Sequence, residues 1–345
     1  MILVGDVTEQ LAAMPDGSVQ CVITSPPYFQ QRTYSGDERV IGLEATVEDY
    51  TSKMVKVFRE VRRVLSDTGT LWFNCGDRYV KNKQRLLLPA RLAIAFQADG
   101  WILRSEIIWV KALSLCPDYS GSCKPSSVKD RPTDAHEMLY LFSKSKSYYY
   151  DQDAIREPSV EHTRVQTDAR REARLNRPVA SVDGLGQSSK AGERPTHVMR
   201  TNPKGRNLRS TWAVIPQPYR GAHFASFPEA LVVPCVKAGT REGDTVLDPF
   251  AGSGTVGVVA LRLNRGFTGI ELNPEYVELA ESRIEGERVI LELITRINLD
   301  GGKWSWDSET GLTQKTVRER MRELRLAAKE VSRVLDSVRT KNTGV

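Results

Sequence analysis

At 345 residues, 40% hydrophobic and 27% charged, the chain has the make-up of a globular protein with one large core or two moderate ones. It contains no apolar run long enough for a membrane span, and the opening "MILVGDVTEQL" meets Asp6 at once, so neither a membrane helix nor a signal peptide is expected and the cytoplasm is the expected compartment. The net charge of +6 is concentrated: positions 156–209 hold twelve Lys/Arg against six Asp/Glu, the whole excess.

In chain order, "MILVGD" and "QCVITS" read as short buried strands separated by a turn at Pro15 to Gly17, the look of parallel-sheet strands. The second strand runs into Ser25, Pro26, Pro27 and Tyr28. Proline has no backbone N–H and restricts its predecessor, so the ladder must stop there in a stiff turn with fixed carbonyls. A helix follows, capped by Thr46, with Tyr50, Met54, Val57, Phe58, Val61 and Leu65 on one face, and it ends before Asp67 and Gly69. "GTLWFNCGD" reads as a strand, Leu86 to Phe96 as a helix, and "WILRSEIIWVK", "EMLYLFSK" and "SYYYD" as further strands. That alternation predicts a parallel α/β sheet whose last strands form a hairpin.

The basic stretch interrupts the pattern and resembles either a solvated loop or a surface that meets phosphates. The alternation resumes with a helix over "FPEALVVPCVKAG". Next come a strand Thr245 to Leu247, a glycine loop, a helix Val256 to Leu263 and a strand Phe267 to Ile270 ending in Glu271. Each half is an incomplete sheet, so one sheet with the basic segment inserted is expected. In the tail, Val317, Met321, Leu324, Ala328, Val331, Leu335 and Val338 form a heptad stripe, expected as a long helix that packs on its own chain or pairs two subunits. The five cysteines show no C-x-x-C pair, so reduced thiols are expected, and Cys116, Cys123 and His136 lack the fourth ligand of a zinc site.

The loop "GSGTVG" places Gly252, Gly254 and Gly257 between a strand and a helix, with Glu271 seventeen positions after Gly254. This is a dinucleotide fingerprint, and any adenosine-bearing cofactor, NAD included, meets it. Asp248, ahead of the glycines, would repel a pyrophosphate and favour a cationic ligand. S-adenosylmethionine, with a sulfonium, an amino group and no phosphate, fits these demands.

With "TSPPY" at Thr24–Tyr28 and "DPFAGSGT" at Asp248–Thr255, the sequence closely resembles the amino-methylating DNA methyltransferases of the permuted type, in which the catalytic strand end precedes the cofactor loop. Segments such as "VFREVRRVLSDTGTLWFNCGD", "HEMLYLFSKSKSYYYD" and "GIELNPEYVELAESRI" extend the likeness over Met1 to about Asp151 and His223 to about Ile284. Nothing in the basic insert or the tail shares it, and Val256 stands where a second threonine is common.

The resemblance implies a Rossmann-like class I methyltransferase sheet, circularly permuted, with 1–155 as catalytic half, 156–222 as DNA-recognition insert, 223–286 as cofactor half and 287–345 as helical extension. It implies catalysis by Ser25, Pro26, Pro27 and Tyr28. S-adenosyl-L-methionine would be bound by Asp6, Thr24, His223, Phe224, Ser226, Asp248, Pro249, Phe250, Gly252, Ser253, Gly254, Thr255, Glu271 and Leu272. The expected partner is double-stranded DNA, met by Lys129, Arg131, Arg170, Arg171, Arg174, Lys204, Arg206 and Arg209, with no metal and a monomer or homodimer. Serine at the first motif position favours cytosine N4, with adenine N6 as the alternative. Asp6 has a second reading as a helix cap, and Phe224 with Phe227 as anchors for the next helix. A nucleotide-dependent oxidoreductase and a catalytically silent nucleic-acid binder are the competing classes. Cys235 follows Pro234, like the cysteine of ring-carbon methylases, but inside an apolar helix pattern it reads as core.

Overall fold

A computed structural model describes residues 1–30, 39–113, 121, 123, 127–158, 202, 204–216 and 228–299, with backbone alone for 292–299. Its elements are β1 (Ile2–Val4), α1 (Val7–Ala13), β2 (Val19–Thr24), α2 (Val47–Val64), β3 (Leu65–Cys75), α3 (Leu88–Ala98), β4 (Ile102–Val110) and β5 (His136–Ser143). After them come β6 (Thr211–Ala213), α4 (Glu229–Gly239), β7 (Thr245–Asp248), α5 (Thr255–Arg262), β8 (Gly266–Glu271) and α6 (Pro274–Leu299). The strands form one eight-stranded sheet in the order β1-β8-β7-β2-β3-β5-β4-β6. The first five in that order are mutually parallel, β5 runs antiparallel to both β3 and β4, and β6 returns parallel to β4. The two sequence halves therefore interleave in one sheet, as expected, because β1 pairs with β8 and β2 with β7.

Local chemistry accounts for the helices. Thr46 caps α2 by accepting the Asp49 N–H at 3.1 Å, and Tyr50, Met54, Val57, Phe58, Val61 and Leu65 are all buried. Each such side chain contributes about 1.5–3 kcal/mol of apolar burial. The Phe58 ring meets Phe73 of β3 edge-on at 5.1 Å, and Phe96 of α3 meets Phe142 of β5 at 5.8 Å, which ties both helices to the middle of the sheet. Helix α3 starts two residues later than Leu86 because Leu87 is left-handed (φ 55°), Pro89 sits in the first turn, and Asp77 Oδ1 accepts the Leu88 N–H at 3.1 Å.

Three expectations need correction. The strand expected from Gly69 begins at Leu65, directly after α2, and stops at Cys75, so Asp77 lies beyond it. "SYYYD" is not a strand: the Tyr149 N–H donates to Thr68 O and the Asp151 N–H to Ala238 O, acceptors on two different elements, so no ladder forms. Its aromatic rings pack instead, Tyr150 stacking 6.5 Å from Trp72. Thr211–Ala213, read within the 156–222 insert, is a sheet strand whose Trp212 lies 6.2 Å from Trp72.

The chain divides into two compact units, one of positions 1–151 and 210–345, the other of 152–209. In the second unit a 3-10 turn at Asp153–Ile155 precedes a bridge between Glu157 and Arg206. The heptad stripe of the tail, Cys116, and Arg170, Arg171 and Arg174 lie outside the described residues. No described helix is long and apolar enough to cross a membrane.

Candidate active site

From β7 the chain crosses through α5 to β8 on one side; from β2 it crosses through α2 to β3 on the other. The carboxyl ends of β7 and β2 thus flank a topological switch point, where open α/β sheets bind ligands. Both sequence motifs sit at that seam. Ser25 to Tyr28 leave the end of β2, and Asp248 ends β7. Thr24, fully buried, donates its hydroxyl to Asp248 Oδ1 at 2.7 Å and so fastens one motif to the other.

In the Ser-Pro-Pro-Tyr turn, Pro26 is buried while Ser25, Pro27 and Tyr28 are half-buried. The Pro27 carbonyl accepts the Tyr50 hydroxyl at 2.9 Å, so α2 pins the turn from below. The Tyr28 hydroxyl lies 3.1 Å from Ser25 Oγ, 3.1 Å from Asn74 Oδ1 and 3.0 Å from Glu137 Oε2. Burial, with the charge of Glu137 next, pushes its phenol well above the ordinary tyrosine range. It stays protonated.

The glycine loop is held from both sides. Gly252 (φ 51°) and Gly254 (φ 75°) take left-handed conformations, and a β-carbon on Gly254 would stand 3.0 Å from Ala280 of α6. At Gly257 an added β-carbon would lie 2.7 Å from both Ile284 and Phe267, so that glycine serves helix packing rather than ligand approach. Arg283 of α6 donates to Ser253 O at 2.6 Å, Ser253 Oγ at 2.8 Å and Thr255 Oγ1 at 3.3 Å, which engages those hydroxyls from behind. Glu271 Oε2 accepts the Gly252 N–H at 2.8 Å and Oε1 accepts the Asn273 N–H at 2.9 Å. Each carboxylate oxygen keeps a further lone pair.

Asp248 is 1% exposed. Its Oδ1 accepts from Thr24 and, at 3.0 Å, from the Phe250 N–H, yet burial pushes its pKa up to about 7 and the nearby Glu271 charge adds to this. Burial likewise raises Glu271. A buried carboxylate beside a half-buried one fits a cationic ligand and not a pyrophosphate.

Of the remaining expected cofactor residues, Asp6 Oδ1 accepts the N–H of Thr8 at 2.8 Å and of Glu9 at 3.2 Å and caps α1. It stands beside Glu271, whose carbonyl accepts the Gly5 N–H at 3.0 Å. Pro249 is buried, and Phe250 and Leu272 are half-buried. His223, Phe224, Ser226 and Phe227 lie outside the described residues. Cys235 is core, 1% exposed, its thiol facing the Leu231 carbonyl at 3.2 Å.

The basic residues are partly committed. Arg131 lies over the Tyr79 ring at 3.7 Å and pairs with Asp134 at 3.2 Å, while Lys129 is exposed. In the second unit, Lys204 pairs with Asp153 at 2.9 Å, and Arg206 and Arg209 share Glu157 at 3.1 and 2.8 Å. Exposed pairs of this kind are worth about 0–1 kcal/mol, little enough for a phosphate to displace.

Three residues at the site escaped the sequence reading: Lys111, Asn74 and Glu137. The last two carried a weak signal, a polar side chain within an otherwise apolar strand. Their convergence on Tyr28 follows from the β3–β5 register, in which Cys75 faces Met138 and Asn74 faces Leu139.

The sequence of this chain matches the model of the DNA methylase family, N6/N4 type, over residues 19–282. It is 40% identical over 311 residues to the Type II methyltransferase M.XycI of Xanthomonas campestris pv. cyanopsidis, covering 82% of this chain and 87% of that protein. Its fold is similar to that of the cytosine-N4-specific PvuII DNA methyltransferase, with a TM-score of 0.55 at 22% identity over 82% of this chain and 85% of that one. It is similar too to the Thermus thermophilus protein TTHA0409 solved with S-adenosyl-L-methionine, with a TM-score of 0.51 at 25% identity over 83% and 95%. With the Ser-Pro-Pro-Tyr turn and the glycine loop fastened together at the switch point of the sheet, the chain belongs to the N6/N4 DNA methylase family.

Proposed function

We propose that this protein transfers a methyl group from S-adenosyl-L-methionine to the exocyclic amino group of a base flipped out of double-stranded DNA, N4 of cytosine in preference to N6 of adenine. The observation that carries the reading is the Thr24–Asp248 hydrogen bond, which sets a rigid Ser-Pro-Pro-Tyr turn against a buried carboxylate. When bound, the cofactor supplies an electrophilic methyl on a sulfonium. Asp248 would meet its positive charge and Glu271 its ribose hydroxyls, using the lone pairs left over from Gly252 and Asn273.

An exocyclic amino nitrogen is a poor nucleophile because its lone pair is delocalised into the ring. Ser25 Oγ and the Pro26 carbonyl accept its hydrogens and turn the lone pair toward the methyl group; the Tyr50 bond to Pro27 keeps that turn in place. The half-buried Tyr28 ring offers a face for the extracted base, offsetting part of the few kcal/mol that flipping costs. Chemistry thus rests on placement. The insert around Lys204, Arg206 and Arg209, with Arg170, Arg171 and Arg174, Lys129 and Arg131, supplies the phosphate contacts, and the catalytic half preceding the cofactor half is the permuted order.

Calorimetry tests the cofactor side. The wild-type protein is expected to bind S-adenosyl-L-methionine and not NAD, and Glu271→Ala to weaken binding by about 1–3 kcal/mol, the cost of leaving buried hydroxyls unpaired. Equal affinity in the two proteins, or tight NAD binding, overturns the assignment.

A further inference from the structure

The Tyr28 hydroxyl has three neighbours within hydrogen-bond distance and one proton to give. Two of the neighbours can only accept. Asn74 donates its amide Nδ2 to Met138 O at 3.1 Å, which turns Oδ1 toward Tyr28. Glu137 offers Oε2, while its Oε1 is paired with Lys111 Nζ, itself 4.6 Å above the Trp109 ring. If Tyr28 gave its proton to Ser25, two acceptor oxygens would confront its lone pairs across about 3 Å without a hydrogen, an arrangement that costs a buried polar group its partner. The O–H therefore points at an acceptor, and a carboxylate accepts it more strongly than an amide.

We infer that Glu137, held by Lys111, is a positioning residue for Ser25: by accepting the Tyr28 O–H hydrogen bond it obliges Ser25 Oγ to donate to Tyr28 and leaves the serine lone pairs for the substrate amino group. This rests on the reading of Ser25 as acceptor for that group. The direction matters because a serine hydroxyl pointed at the substrate would present a hydrogen to another hydrogen. Gly76 makes the arrangement possible, since a β-carbon there would stand 2.8 Å from Tyr28 Cε2 and 3.3 Å from the Glu137 carboxyl carbon. Burial raises the phenol's pKa and keeps the one proton in place.

The test is steady-state methylation of DNA by the full chain carrying Glu137→Gln, Glu137→Asp, Tyr28→Phe, the Gln/Phe double substitution, or Ser25→Ala. A glutamine can donate as well as accept, so the direction of the chain of bonds is lost. Glu137→Gln is expected to lower kcat by about 10-fold or more, with KM for both substrates and the melting temperature held, and Glu137→Asp to recover most of the loss. In the Tyr28→Phe background, which has no phenol proton to direct, Glu137→Gln adds less than about 2-fold. An unchanged kcat in Glu137→Gln with Ser25→Ala inactive overturns the role of Glu137 alone, as does a full, independent loss in the Tyr28→Phe background. Full activity in Ser25→Ala overturns the site reading and this inference together.

Discussion

Ser25→Ala is expected to lower kcat by about 10²–10³-fold while the affinity for S-adenosyl-L-methionine stays the same, the scale on which a single hydrogen bond aimed at a reacting group acts. The hydroxyl lies 3.1 Å from Tyr28, at the end of the strand that pairs with β7, yet the direct bond to Asp248 comes from Thr24 and not from Ser25. Its loss therefore removes an acceptor from the amino group and leaves the cofactor side of the seam intact. Single-turnover methylation beside calorimetric titration of the cofactor separates the two effects. A parallel fall in cofactor affinity would place Ser25 in cofactor binding instead.

Asp248→Asn is expected to do the reverse. Its amide oxygen can still accept from Thr24 and Phe250, but the charge that answers a cationic ligand is gone. Cofactor affinity should fall by about 1.5–3 kcal/mol, the worth of a hydrogen-bonded charge pair. The unliganded fold should gain. A carboxylate whose pKa rises to about 7 on folding, from an unfolded value near 3.9, binds its proton more tightly in the native state. That contribution to stability is complete below the unfolded value and is lost as pH rises through about 7. At pH 8 the wild type carries the cost of a buried charge and Asp248→Asn does not, so its melting temperature should exceed the wild type's there and converge with it near pH 4. In the wild type, cofactor affinity should climb as pH rises from about 5.5 to 8, because a cation prefers the ionised carboxylate. A flat pH dependence, or a variant less stable at pH 8, would show that Asp248 is ionised and satisfied without a ligand.

The parts of the site that the sequence announced are those set by neighbours in the chain. Pro26 and Pro27 end β2 by their own geometry, the glycines around Ser253 permit left-handed turns, and the apolar face of α2 repeats at helical spacing; each is legible within a few residues. The surroundings of Tyr28 are not local. Asn74 and Glu137 reach it only because β5 returns antiparallel beside β3, and the register that puts Cys75 against Met138 is settled by the pairing of whole strands. The short β6 went unseen for a related reason: three residues make too little pattern to read, and Trp212 is buried by meeting Trp72, far away in sequence. The three tyrosines at 148–150 misled in the opposite sense. Their β-propensity is real, but side-chain stacking on Trp72 and bonds to two separate elements took the place of a ladder.

Amino-directed methylation at the β2–β7 seam is tested most directly by its product. DNA from cells expressing the chain, digested to nucleosides and resolved by mass spectrometry, should contain N4-methylcytosine that is absent from cells expressing Ser25→Ala. N6-methyladenine in its place would move the assignment to the other base and leave the site standing. Methylation at ring carbon 5 of cytosine, or N4-methylcytosine undiminished in Ser25→Ala, would contradict the account.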